Sequence, residues 1–159
     1  MVDPDWLHPS ITAPMDEVDA GAVPPSERDG PRIRAIRGAI TVDADEPALI
    51  AEATRTLLTE LLRRNGVRDA HLVSALFTLT PDLTSEFPAR AARELGWGDV
   101  PILCAQEIAV PGALARCLRV LVHVESSLTR AAVQHVYLRG AVVLRPDLNG
   151  GAVAADRAE

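Results

Sequence analysis

Lysine is missing from this chain of 159 residues: all 16 basic residues are arginine. Alanine, proline and glycine are abundant beside it, so a GC-rich genome is the simplest cause. Any anion site must nevertheless be built from guanidinium groups, which hold carboxylates through two parallel hydrogen bonds. Cysteine is scarce. Cys104 and Cys117 form no Cys-x-x-Cys pair, and His8, His71, His123 and His135 show no ligand spacing. That excludes a disulfide framework and a structural zinc site, and no metal is expected. Positive charge is not in excess: the net charge of −6 argues against nonspecific binding to nucleic acid. No apolar run approaches a membrane span, and no basic segment followed by an apolar one opens the chain. A soluble, reducing, cytoplasmic setting is expected, with neither membrane nor nucleic acid as partner.

Apolar residues make up 48% of the chain, and its length suits one domain with a real core. Residues 1–30 hold five of the 12 prolines and no sustained periodicity. Residues 1–31 are therefore read as a flexible extension, from which Trp6 and Leu7 could dock, and 149–159 as a loose tail after Asn149-Gly150-Gly151. Between them a compact domain is expected over 32–148. Residues 32–42 have the composition of a strand. Residues 46–64 place Leu49, Ile50, Ala53, Leu57, Leu58, Leu61 and Leu62 at helical spacing, with Asp45 as N-cap, Pro47 in the first turn and Asn65-Gly66 as the stop. Strands follow at 71–79, 101–108, 117–125 and 136–145. Short helices are expected at 88–95 and at 130–135, the second capped by Thr129. Alternating strands and helices give an α/β class fold: a mixed sheet with helices packed on it.

The chemistry begins with a charge out of place. The stretch RCLRVLVHV (116–124) sets Arg119 in an apolar, β-branched strand. Alternation puts Cys117, Arg119, Leu121, His123 and Glu125 on one face and Leu118, Val120, Val122 and Val124 on the other. Arg119 then sits on a wet face, meets a carboxylate, or awaits an anionic ligand. The strand alone favours the wet face. In the last strand, Tyr137, Arg139, Ala141, Val143 and Arg145 would share one face. The first strand offers Arg32 and Arg34 on one side and Arg37 on the other. Glu107 would stand beside Cys104, and Arg90 and Arg93 would lie close on one helix surface. Each alone reads as a solvated surface charge. Together they would line a pocket for a small dianion, with Glu107 taking a hydroxyl. No nucleophile–base arrangement and no phosphate loop is visible. His135 reads as structural and Cys104 as a packed thiol.

The segments RAIRGAITVD (34–43), TPDLTSEFPARAARELGW (80–97), VPILCAQEIAVPGALARCLRV (100–120) and HVYLRGAVVLRPDL (135–148) resemble the monofunctional chorismate mutases of the trimeric α/β class, not the all-helical class. The resemblance runs in order through residues 32–148. It implies a homotrimeric pseudo-α/β-barrel with an active site at each subunit interface, and the rearrangement of chorismate to prephenate without any cofactor. It also implies roles. Arg37 and Tyr137 would bind a substrate carboxylate, Arg119 would face the ether oxygen, and Glu107 and Cys104 would lie near the substrate hydroxyl. Phe87, Arg90 and Arg93 would flank the pocket across the interface. Leu103 would line it, standing where a threonine can occur. Leu144 and Arg145 would form its C-terminal edge. The 30-residue extension lies outside the pattern. Three other readings compete: an enamine/imine deaminase of similar architecture, a noncatalytic sensor of a dianionic aromatic-pathway metabolite, and a structural trimer whose arginines pair across the interface.

Overall fold

The computed structural model describes residues 30–149. The expected flexible extension, with Trp6 and Leu7, and the C-terminal tail lie outside the described residues, apart from their inner ends. Five strands form one sheet: β1 (Arg32–Thr41), β2 (Leu72–Leu79), β3 (Ile102–Gln106), β4 (Cys117–Ser126) and β5 (Val136–Leu138). Their order is β3-β2-β4-β1-β5. The β2–β4 and β4–β1 ladders are antiparallel, whereas β2–β3 and β1–β5 are parallel. The parallel pairs need crossovers, and helices supply them. Helix α1 (Pro47–Asn65) follows β1, α2 (Pro88–Glu94) joins β2 to β3, and a short α3 (Pro146–Asn149) closes the described chain.

Strand pairing divides the side chains between two faces. Ile36, Gly38 and Ile40 of β1 stand opposite Val122, Val120 and Leu118 of β4, which stand opposite Ala75, Phe77 and Leu79 of β2. This is the dry face. Ile50, Ala53, Leu57, Leu58 and Leu61 of α1 pack onto it with Trp97, all but fully buried. Gly38 marks the closest approach, since a Cβ there would lie 3.0 Å from Leu57 Cδ1. The other face carries Arg37 and Ala39, Leu76 and Thr78, Leu103 and Ala105, Arg119 and Leu121, and Tyr137. No helix among the described residues is long and apolar enough to cross a membrane.

Three local expectations are corrected. Asp45 does not cap α1: Glu46 occupies that position without a side-chain cap. The Asp45 carboxylate instead accepts from Thr84 N and Oγ1, both at 2.8 Å, and from Ser85 N at 3.0 Å. The helix expected over 130–135 is a single 3-10 turn, Arg130–Ala132, with Thr129 Oγ1 accepting from Ala132 N. The last strand stops at Leu138, and Arg139–Leu144 wind into a 3-10 segment. Arg139 takes φ +52°, and its guanidinium reaches Glu52 of α1 at 2.8 Å. Gly140 N donates to Thr41 Oγ1 at 3.0 Å, where a Cβ would lie 3.1 Å from the Thr41 side chain. These contacts pull the chain out of the sheet, so the shared face expected for Tyr137, Arg139, Ala141, Val143 and Arg145 does not form.

Candidate active site

The turn after β2 fixes the start of β4. The Asp82 carboxylate accepts from Arg116 N at 2.9 Å, and Thr80 Oγ1 accepts from Cys117 N at 2.9 Å. Arg119 follows two residues later on the open face, directly between Thr78 of β2 and Ala39 of β1. Tyr137 of β5 is next in the same row. The 3-10 winding after β5 then returns Leu144 and Arg145 to this row. The result is a cavity of about 370 Å³ lined by Arg37, Gly38, Ala39, Leu76, Thr78, Arg119, Val120, Leu121, Tyr137, Leu144 and Arg145.

Arg119 is neither simply wet nor fully neutralised. Its side chain is 40% exposed, with Nη1 3.3 Å from Glu107 Oε2. Its Nε is buried with no partner. Glu107 leaves the end of β3 on the same face, and its other oxygen accepts from Thr78 Oγ1 at 2.6 Å. Arg145 forms a two-bond fork with Asp147 at 2.9 and 2.7 Å. That fork, with a smaller contribution from the Tyr137 hydroxyl, raises its pKa above the usual arginine range. Arg37 is exposed at the rim, and its backbone N–H donates to His135 Nδ1 at 3.1 Å. Burial, then Arg37 and Arg145, lowers the His135 pKa and favours the neutral ring. His135 thus serves as a hydrogen-bonded structural histidine. Cys117 lies buried in a small cluster with Ala39, Tyr137 and Ala141. Burial raises its pKa, so the thiol stays protonated and is a poor nucleophile.

Of the residues singled out in the sequence, Arg37, Arg119, Tyr137, Leu144 and Arg145 meet in this cavity, and Glu107 joins it through Arg119. Cys104 does not stand beside Glu107. It pairs with Phe77 on the core side of the sheet and, with Phe87, lines a second cavity of about 350 Å³. Leu103 lies on the open face, 72% exposed. Arg90 and Arg93 are on the outer surface of α2, where Arg90 pairs with Glu86 at 3.1 Å and Glu94 at 3.5 Å. Within one chain these residues do not reach the first cavity. Thr78 was missed. Its signal was a hydroxyl, one of two with Ser74, in the apolar strand HLVSALFTL, and only the β2–β4 register places it opposite Arg119.

The fold and cleft define a class: a mixed-sheet protein whose open face gathers cations around one carboxylate, suited to a small dianion and furnished with no activated nucleophile. The comparisons make the class specific. A family model described as chorismate mutase type I matches residues 33–148, and the chain belongs to that family. It is 51% identical over 117 residues to the chorismate mutase AroH of Thermus thermophilus, spanning 73% of this chain and 96% of that protein. It is 44% identical over 118 residues to the AroH enzyme of Bacillus subtilis, spanning 74% and 93%. A solved chorismate mutase from Clostridium thermocellum superposes with a TM-score of 0.68 at 43% identity, covering 69% of this chain and 98% of that one.

Proposed function

We propose that this chain converts chorismate to prephenate in the cleft built on Arg119. The observation that carries the reading is the row Thr78–Glu107–Arg119, set against the cationic wall of Arg37 and Arg145 and the Tyr137 hydroxyl. The reaction is intramolecular: one carbon–oxygen bond breaks while a carbon–carbon bond forms. It needs no proton transfer, nucleophile or cofactor. What a protein can supply is placement and charge. Arg37 and Tyr137 bind a carboxylate and Glu107 accepts the ring hydroxyl, which holds the flexible dianion in its folded conformer. Arg119 meets the negative charge that gathers on the ether oxygen as its bond stretches. That contact is stronger in the transition state than in the ground state, and the difference is what raises the rate.

The second cavity fits the same reading. In a homotrimer, Phe87, Leu103 and Cys104 of one subunit, with Arg90 and Arg93 beside them, close the cleft of the next. Residues 32–148 form the catalytic unit, working in the cytoplasm. The test is loss of the chorismate diene absorbance in the presence of the purified protein, with Arg119→Ala beside it. Prephenate formation by the wild type, reduced about 10²–10³-fold in the variant, is expected. Near-normal turnover in Arg119→Ala removes the role given to Arg119, and no turnover by the folded wild type removes the reaction.

A further inference from the structure

We infer that Thr78 is a positioning residue for this reaction, holding the Glu107 carboxylate so that it does not close onto Arg119. The inference rests on the reading of the cleft as a chorismate mutase site. An arginine and a carboxylate in contact frequently form a fork with two parallel hydrogen bonds. Arg145 and Asp147 do so here, at 2.9 and 2.7 Å. Arg119 and Glu107 do not. One long contact of 3.3 Å joins them, although Glu107 is only 14% exposed and has no other cation in reach among the ion pairs of the described residues.

The difference lies at the second carboxylate oxygen. Thr78 Oγ1 donates to Glu107 Oε1 at 2.6 Å, a short charge-assisted bond. Thr78 faces Ala105 on β3 and Arg119 on β4 in register, so its hydroxyl stands between the strand that carries the acid and the strand that carries the base. Threonine is stiff at χ1, so the hydroxyl is aimed before substrate arrives. With one oxygen fixed, the carboxylate offers Arg119 a single contact. The exposed remainder of the guanidinium stays available to the oxygen that gains charge. A fork would occupy that edge and cancel much of the cation. A free Glu107 would also lose its aim at the ring hydroxyl.

The experiment is steady-state turnover of chorismate by the full chain as wild type, Thr78→Val and Thr78→Ser. The same Thr78→Val change is then made in a Glu107→Gln background. Valine keeps the shape, suits a strand and removes only the hydroxyl, so the melting temperature should hardly move. A hydrogen bond to a charged group of this kind sets the expected loss of kcat in Thr78→Val at about 10- to 100-fold, with a smaller change in KM. Thr78→Ser should recover most of the loss. In the Glu107→Gln background the valine change should cost much less than it does alone, because the carboxylate it positions is gone. Wild-type kcat in Thr78→Val, equal damage from serine and valine, or full additivity with Glu107→Gln each overturns the inference while leaving the reaction standing. A silent wild type removes the reading and the inference with it.

Discussion

A guanidinium is tolerable in the run RCLRVLVHV because its strand has one dry face and one half-open one. On the dry face Leu118, Val120, Val122 and Val124 are buried; on the other, Arg119 keeps contact with water and with Glu107. Magnitudes separate a structural role from a catalytic one. An ion pair whose arginine is this exposed contributes about 1 kcal/mol or less to stability. A preorganised charge at a breaking bond is worth about 3–4 kcal/mol in the transition state. Arg119→Lys should therefore melt within a few degrees of the wild type yet lose most of its turnover. An ammonium keeps the charge but lacks the planar fork, and so cannot touch Glu107 and the ether oxygen together. Thermal unfolding and kcat measured on the same sample check this. A lysine variant with wild-type kcat would mean that charge alone, without geometry, suffices. Glu107→Ala should likewise damage turnover or binding without unfolding the protein, and an unaltered kcat/KM would take Glu107 out of the site.

At the scale of elements, what was legible in the sequence was whatever depends on neighbours along the chain. The spacing of Ile50, Ala53, Leu57, Leu58 and Leu61 defines α1, and Gly66, at φ +60°, stops it as expected. The alternation in 117–125 defines β4 and its two faces. What was not legible depends on partners distant in sequence. VYLRGAVVLR reads as a strand until Glu52 and Thr41 claim Arg139 and Gly140. Asp45 reads as a cap until the 84–85 backbone takes its carboxylate. That last contact has a pH signature. The hydrogen bonds from Thr84, its backbone N–H first, and from Ser85 hold the Asp45 pKa at about 2, against an ordinary 3.8. A carboxyl depressed on folding contributes stability above its unfolded pKa and loses it as pH falls toward the folded one. Asp45→Ala should thus lower the melting temperature by its full amount above pH 5, and the gap should close as pH approaches 2. A gap independent of pH across that range would show that the charge is not what anchors the segment leading to Phe87.

For the whole molecule, the order β3-β2-β4-β1-β5 brings Thr78, Arg119, Ala39 and Tyr137 into one row. No single strand reveals that order, so the grouping of the arginines with Glu107 and Tyr137 was legible as an expectation, but the place of Thr78 beside Arg119 was not. The same order leaves an open sheet face. Leu103 of β3 is 72% exposed, Ile108 and Val110 just beyond it 87% and 59%, and Phe87 at the start of α2 70%. A subunit contact would remove this apolar surface from water. A homotrimer of the kind implied by the family resemblance would cover it and bring the Phe87 and Cys104 cavity of one subunit to the Arg119 cleft of another. Sedimentation equilibrium should then report three times the 17.0 kDa chain mass. Ile108→Glu should shift the protein toward smaller species, because a charge buried at a subunit contact without a partner is costly. Since this change leaves the Thr78, Glu107 and Arg119 side chains and the helical core in place, the variant should keep its far-ultraviolet circular dichroism while turnover falls with the trimer population. Turnover that persists in a dissociated variant would show that one chain's cleft is sufficient, and would confine Phe87, Arg90, Arg93 and Cys104 to a structural role.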